Sequence, residues 1–216
     1  MPETLPEQVT LEKTPAYFIS KTAPERIRQL DKNMKLIVVV RNPITRAISD
    51  YTQAVSKRKR SASMPSFEAM AMRRLPIGDH STNNCSAFNR TVINASWGAI
   101  RIGIYHRHIK KWLQYFTLER IHFVDGERLI TNPATEIRAV EKFLNVKPTV
   151  RPSDFATDPI KGFPCVLRAD GTMHCLGKTK GRAHPRVRKD VMRCLREYYE
   201  PENEKFFRLV NRRFHW

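Results

Sequence analysis

Lys35-Leu36-Ile37-Val38-Val39-Val40-Arg41-Asn42-Pro43-Ile44-Thr45-Arg46-Ala47-Ile48-Ser49-Asp50-Tyr51 is the stretch from which the rest of the chain can be read. Five consecutive apolar residues, three of them valine, predict a strand buried on both faces, the pattern of a parallel sheet. Arg41 falls at the carboxyl edge of that strand. Asn42-Pro43 breaks it, and Pro43 suits the first turn of a helix, where its missing N–H costs nothing. A helix is therefore predicted over 43–56. Ligands of open α/β sheets lie beyond the carboxyl ends of strands, and helix N-termini attract anions. Arg41 and Ser49 are thus candidates to hold a phosphate-like group. Pairing of Arg41 with a carboxylate is the alternative.

The chain has 216 residues, enough for one domain with a real core. A hydrophobic fraction of 41% and three tryptophans argue against disorder. The net charge of +18 implies an anionic partner: nucleic acid, a membrane surface or an acidic polysaccharide. Base-stacking aromatics interleaved with the basic runs are absent, which argues against nucleic acid. No run approaches the ~20 apolar residues of a membrane span. Residues 1–7 have neither the basic start nor the apolar stretch of a signal peptide.

Four cysteines stand at 85, 165, 175 and 194. Cys165 and Cys175 flank the turn-like Arg168-Ala169-Asp170-Gly171, which makes a disulfide across that hairpin a candidate worth about 2–3 kcal/mol. Acceptor sequons crowd one region, at Asn84, Asn89 and Asn94. With the cysteines they point to an oxidising lumen. No C-x-x-C pair indicates zinc.

Elsewhere, short helices are predicted over 23–30 and 67–74. A longer one over 97–116 has Ile100, Ile104, Tyr105, Ile109, Trp112, Leu113 and Phe116 on one face. A strand is predicted over 121–124, closed by Asp125-Gly126, and a helix over 134–144. Residues 161–176 form the hairpin. Two final helices, 187–199 and 202–210, are predicted to be separated by Pro201, with Phe214-His215-Trp216 docking as a tail. The loop 177–185 carries Lys178, Lys180, Arg182 and His184 between glycines, a second anion candidate. Its Gly-Lys-Thr is not a P-loop: Gly171 is one place off the required spacing, and no strand precedes it. Lys13, before Thr14-Pro15, is a candidate fixed cation. Trp97 is either core or a stacking surface for a sugar ring.

The runs Glu12 to Phe18, Lys35 to Gln53, Ser96-Trp97, Gly126 to Ile130, Lys161 to Cys165 and Lys180 to Pro185 together resemble the heparan sulfate glucosamine 3-O-sulfotransferases, in order and in spacing over nearly the whole chain. The resemblance implies a sulfotransferase fold: a parallel sheet flanked by helices, related to nucleotide kinases. It implies 3′-phosphoadenylyl sulfate (PAPS) as donor, no metal, and the 3-hydroxyl of glucosamine in heparan sulfate as acceptor. Arg41 and Ser49 match residues that bind the donor's 3′-phosphate. Lys180, Gly181, Arg182, Ala183 and His184 match a donor-contacting segment. Lys13, Thr14, Pro15 and Ala16 match the acceptor segment whose lysine sits by the transferring group. Gln53, Lys57, Trp97 and Gly98 match saccharide-facing positions. Cys165 and Cys175 match a family disulfide, and Asn89 a glycosylated position. The implied location is the Golgi lumen, in a type II membrane protein.

The chain also departs from the pattern. The Lys-x-Gly-Thr-Arg phosphosulfate loop, its strand, the catalytic glutamate and the anchor lie upstream of the Glu-Lys-Thr-Pro motif in the family. The expectation is therefore one sulfotransferase domain over 1–216, incomplete at its N-terminus, with no general base assigned. Alone, such a chain is expected to be unstable and inactive, and a catalytically inactive heparin-binding fragment is the alternative function. Residues 154–160 also differ from the aromatic-rich stretch of relatives, and Ala16 and Gly98 stand where some relatives have serine.

Overall fold

The computed structural model describes residues 5, 8–58, 64–75, 85, 91–177 and 180–216. Strand β1, Leu36–Val40, pairs in parallel with β4, Ile121–Asp125, in the register Leu36↔Ile121 to Val40↔Asp125. The parallel pair is as predicted, but β1 is not buried on both faces. Leu36, Val38 and Val40 pack on an aromatic cluster, whereas Val39, on the opposite face, is 57% exposed. Alternation of side chains across a strand explains the difference.

Helix α1, Ala23–Leu30, precedes β1, and α2, Pro43–Lys57, follows it. Asn42 begins α2 by accepting from the N–H groups of Ile44 (2.9 Å) and Thr45 (3.4 Å), with Pro43 in the first turn. Pro43, Ile44, Ala47 and Ile48 are its buried face.

The predicted helix over 67–74 is shorter. Ser66 caps α3, Phe67–Ala71, and the chain then extends as β2, Met72–Arg74, antiparallel to β3, Thr91–Ile93. The pairing partner lies some twenty residues on, which local periodicity cannot reveal. The helix predicted over 97–116 is also broken, into α4, Gly98–Arg101, and α5, Tyr105–Trp112. Gly103 sits in the break. A Cβ there would come within 2.8 Å of the Tyr199 hydroxyl and 2.9 Å of Pro43. The predicted apolar face is nonetheless buried on both sides of the break, apart from the half-buried Leu113.

Helix α6, Gly126–Thr131, was not foreseen. The Asp125 carboxylate, at the end of β4, caps it by accepting from Glu127 N (2.9 Å) and Arg128 N (3.2 Å). Helix α7, Pro133–Leu144, follows. Strands β5 (Phe155–Thr157), β6 (Pro164–Leu167) and β7 (Met173–His174) form an antiparallel sheet, and Cys165 is disulfide-bonded to Cys175.

The two predicted C-terminal helices are one, α8, Lys189–Val210, continuous through Pro201. Proline forfeits one hydrogen bond inside a helix. Here packing carries the helix through, because Val191, Cys194, Leu195 and Tyr199 on one side and Phe206, Phe207 and Val210 on the other are all buried. The tail docks as expected, with Phe214 stacked on Phe206 and Trp216 on Phe214. Two apolar clusters result. One holds Ile44, Ile48, Phe67, Ile100 and the first half of α8; the other holds Val40, Tyr105, Trp112, Phe123 and its second half. Among the described residues no helix is long and apolar enough to cross a membrane.

Candidate active site

The β1–β4 register brings the carboxyl ends of the two strands side by side, Val40 opposite Asp125. The next residues, Arg41 and Gly126, therefore meet. A Cβ on Gly126 would overlap the Arg41 side-chain stem and stand 2.9 Å from the Val40 carbonyl oxygen. Glycine is required here by space, not by backbone angle. Glu127 then clamps the arginine. Its carboxylate accepts from Arg41 Nε (3.4 Å), Arg41 Nη2 (3.1 Å) and the Asn42 N–H (3.3 Å). The pair is partly exposed. Arg41 Nη1 has no hydrogen-bond partner among the described residues. Of the two sequence readings of Arg41, carboxylate pairing is thus realised, and one edge of the guanidinium remains for an anion.

The buried hydroxyl of Tyr105 braces the same residue from below. It donates to the Arg41 carbonyl (2.9 Å) and accepts from the Arg41 N–H (3.4 Å). Burial pushes the Tyr105 pKa up, against the opposing pull of Arg46 and Arg41, so the hydroxyl keeps its proton.

His184, towards the distal end of the basic loop, lies near enough to this corner for the charges of Arg41 and Glu127 to act on it. Crowding by neighbouring protein lowers the His184 pKa, the Arg41 charge lowers it further, and Glu127 opposes. The lowered pKa favours the neutral imidazole in the free protein. Gly181 has φ +64°, and a Cβ there would meet the Phe163 ring at 3.1 Å. Lys161 Nζ holds the loop's entry, donating to the carbonyls of Leu176 (2.8 Å) and Gly177 (3.0 Å). Lys180, Ala183 and His184 are exposed, and Gly181 and Arg182 half-buried. Lys178 lies outside the described residues.

Ser49, Gln53 and Lys57 recur at intervals of four along α2, which places them on one stripe leading away from Arg41. Ser49 is half-buried and has no side-chain hydrogen bond among the described residues. Trp97 caps α4 and packs edge-on against Phe67 (5.6 Å) and Tyr51 of α2 (6.4 Å). It is therefore half core, with a partly exposed surface beside the α2 stripe. A Cβ on Gly98 would meet nothing within 4 Å, so no close contact requires glycine there.

Lys13 is exposed and precedes a 3-10 helix, Pro15–Ile19. Thr14 Oγ1 (2.8 Å) and Tyr17 OH (3.0 Å) both donate to Glu12. The turn is fastened to α5 by Trp112, whose indole N–H donates to the Phe18 carbonyl (3.0 Å). Phe18 in turn packs on Tyr105, the residue that braces Arg41. The Lys13 segment and the Arg41 corner thus share one support, without direct contact between them.

Asn89 lies outside the described residues. Asn94, the described sequon asparagine, spends its amide nitrogen on the Met70 carbonyl (3.0 Å). Sequence reasoning assigned no role to Gly126, Glu127 or Tyr105, and it missed the second disulfide, Cys85–Cys194. A signal for Gly126 existed: Asp125-Gly126 closes an apolar strand just as Arg41 closes its partner.

A parallel strand pair thus carries a basic corner at its carboxyl end, flanked by helices, the place where open α/β sheets bind anionic ligands. Residues 6–213 match the family model of the sulfotransferase domain, and the chain belongs to that family. It is 47% identical over its whole length to mouse heparan sulfate glucosamine 3-O-sulfotransferase 3B1, covering 52% of that protein. Its identity to human heparan sulfate glucosamine 3-O-sulfotransferase 6 is 44%, covering 59%. The chain thus spans about half the length of the curated relatives it matches. A crystal structure of a sulfotransferase from Alicyclobacillus acidocaldarius shares the fold, with a TM-score of 0.58 at 18% identity, over 92% of this chain and 63% of that one. The family implies PAPS as sulfuryl donor. The residues present fit an anionic group: Arg41 lies over Gly126, and His184 of the basic loop is near enough to feel its charge.

Proposed function

We propose that the chain is a single sulfotransferase domain that moves a sulfuryl group from PAPS to the 3-hydroxyl of glucosamine in heparan sulfate. The observation that carries this reading is Arg41 at the carboxyl end of β1, packed over Gly126 and clamped by Glu127, with His184 of the basic loop near enough to feel both charges. The names of the similar proteins support the acceptor assignment.

Arg41 and Ser49 bind the 3′-phosphate of the donor, with Glu127 fixing the plane of the guanidinium. Lys180, Gly181, Arg182, Ala183 and His184 contact the donor from the other side. PAPS supplies the sulfuryl group and, as leaving group, a nucleotide phosphate. Lys13 offsets the charge that grows on the sulfuryl oxygens and the leaving phosphate as the S–O bond to the donor breaks and that to the acceptor oxygen forms. Thr14, Pro15 and Ala16 line the acceptor side. Gln53, Lys57, Trp97 and Gly98 hold the saccharide along the α2 stripe. The acceptor proton passes to a carboxylate, a role assigned to no residue of this chain. Asn89 carries a glycan, and the work is done in the Golgi lumen, where the disulfides persist.

The test is titration with 3′-phosphoadenosine 5′-phosphate and transfer of labelled sulfate to heparan sulfate. Nucleotide binding abolished by Arg41→Ala is the expected result, and whatever label is transferred is expected at the glucosamine 3-hydroxyl. Label at another position overturns the acceptor assignment. Salt-sensitive heparin retention with no nucleotide binding establishes the catalytically inactive, heparin-binding alternative.

A further inference from the structure

We infer that the Cys85–Cys194 disulfide positions the acceptor wall, while the Cys165–Cys175 disulfide positions the donor loop. Each half of the site thus has its own covalent staple. The inference rests on the assignment of Trp97 and Gly98 to the saccharide and of residues 180–184 to the donor.

Both members of the first bond are buried, Cys85 at 7% and Cys194 at 1% exposure, within the cluster that holds Phe67, Ile93, Ala99 and Ile100. Six residues after Cys85 the chain enters β3, and β3 leads directly to Trp97. On one side this segment hangs from α3 and β2. Asn94 N donates to the Ala71 carbonyl (2.7 Å), Asn94 Nδ2 donates to the Met70 carbonyl (3.0 Å), and the Trp97 ring rests on Phe67. On the other side β3 contacts α8, and Cys85, bonded to Cys194 of α8 109 residues away in sequence, lies in the same apolar cluster against which Trp97 packs. The second bond spans only 10 residues, inside the β6–β7 hairpin. Residue 176 follows Cys175 immediately, and the loop that presents Gly181 and His184 continues from it.

Each bond forms when two thiols give up two protons and two electrons to a disulfide donor, such as oxidised glutathione or a thiol–disulfide oxidoreductase. The compartment that glycosylates the chain also supplies that oxidant.

Free thiols of the 216-residue chain are first blocked, and its non-reduced peptides mapped. A peptide containing Cys85 linked to one containing Cys194 is expected; free thiols at both positions overturn the inference. Cys85→Ser/Cys194→Ser and Cys165→Ser/Cys175→Ser are then titrated with a heparin octasaccharide and with 3′-phosphoadenosine 5′-phosphate. The first pair is expected to lose at least about five-fold in octasaccharide affinity with nucleotide affinity within about two-fold, and the second pair the reverse. Equal losses, or none, overturn it. Should the first pair fail to fold, stepwise reduction of the unmodified chain replaces it. Octasaccharide affinity must then fall in step with trapped thiols at Cys85 and Cys194; loss before they open overturns the inference. An unmodified chain that binds neither ligand overturns the site assignments themselves. A chain that binds both, with variants showing no split, overturns only the division of labour.

Discussion

Arg41 is held by partners 64 and 86 positions away in sequence, the Tyr105 hydroxyl and the Glu127 carboxylate. Arg41→Lys keeps the charge but not the two-point contact. It is expected to cost about 1.5–3 kcal/mol in nucleotide binding, or roughly ten-fold or more by calorimetry. Gly126→Ala places a methyl group in the path of the Arg41 stem. The melting temperature is expected to drop by an amount equivalent to about 1–3 kcal/mol, with nucleotide affinity falling alongside. A drop in stability alone would mean that Arg41 does not meet the donor. His184 gives a pH signature. Although its side chain is exposed, its pKa is depressed in the free protein, first by neighbouring protein that displaces part of its hydration and then by Arg41. A bound phosphate raises it, so binding takes up a proton, and affinity should rise as pH falls from about 7.5 to 6. His184→Gln should flatten that rise relative to the unmodified chain. An unchanged slope would remove His184 from the site.

Among the elements, the strand ending in Arg41 and the helix capped by Asn42 were legible, because both signals are local. So was the apolar face around Ile100 and Ile109, since burial of one helical face leaves a period in the sequence. The break at Gly103 was not, because it is imposed by Tyr199 and Pro43, far away in the chain. Pro201 misled for the opposite reason: a local breaker lost to the aromatic packing of Tyr199 and Phe206 on either side. Arg41 was legible as a site residue, yet Glu127 was not, since only the β1–β4 register makes them neighbours. Gly181 is legible in part, because a left-handed turn favours glycine, but its packing against Phe163 is tertiary. Gly181→Ala meets both constraints. It is expected to destabilise the loop by about 1 kcal/mol or more and to weaken nucleotide binding while heparin binding stays unchanged. Parallel loss of heparin binding would mean that the loop serves both ligands.

For the molecule as a whole, acid should be a stress before carboxylates begin to protonate. His108 and His122, both half-buried, and the more exposed His184 have pKa values pushed below the ordinary 6.5, first by lost hydration and then by nearby cations. The unfolded chain therefore binds more protons than the folded one below that value. Stability is full above about pH 7 and is lost as pH falls through the depressed pKa values. Melting curves between pH 7.5 and 5 should shift downward, and a flat profile would contradict the partial burial of His108 and His122. Helix α8 belongs to both apolar clusters, with Cys194 and Tyr199 in one and Phe206 and Val210 in the other. A rigid rod shared in this way leaves neither half an independent opening route. In amide hydrogen exchange, α2 and β4 should then surrender their slowest protons at one common free energy, as a single cooperative unit. Two well-separated values would show that Pro201, for all that the helix passes through it, divides the molecule into two units that breathe separately.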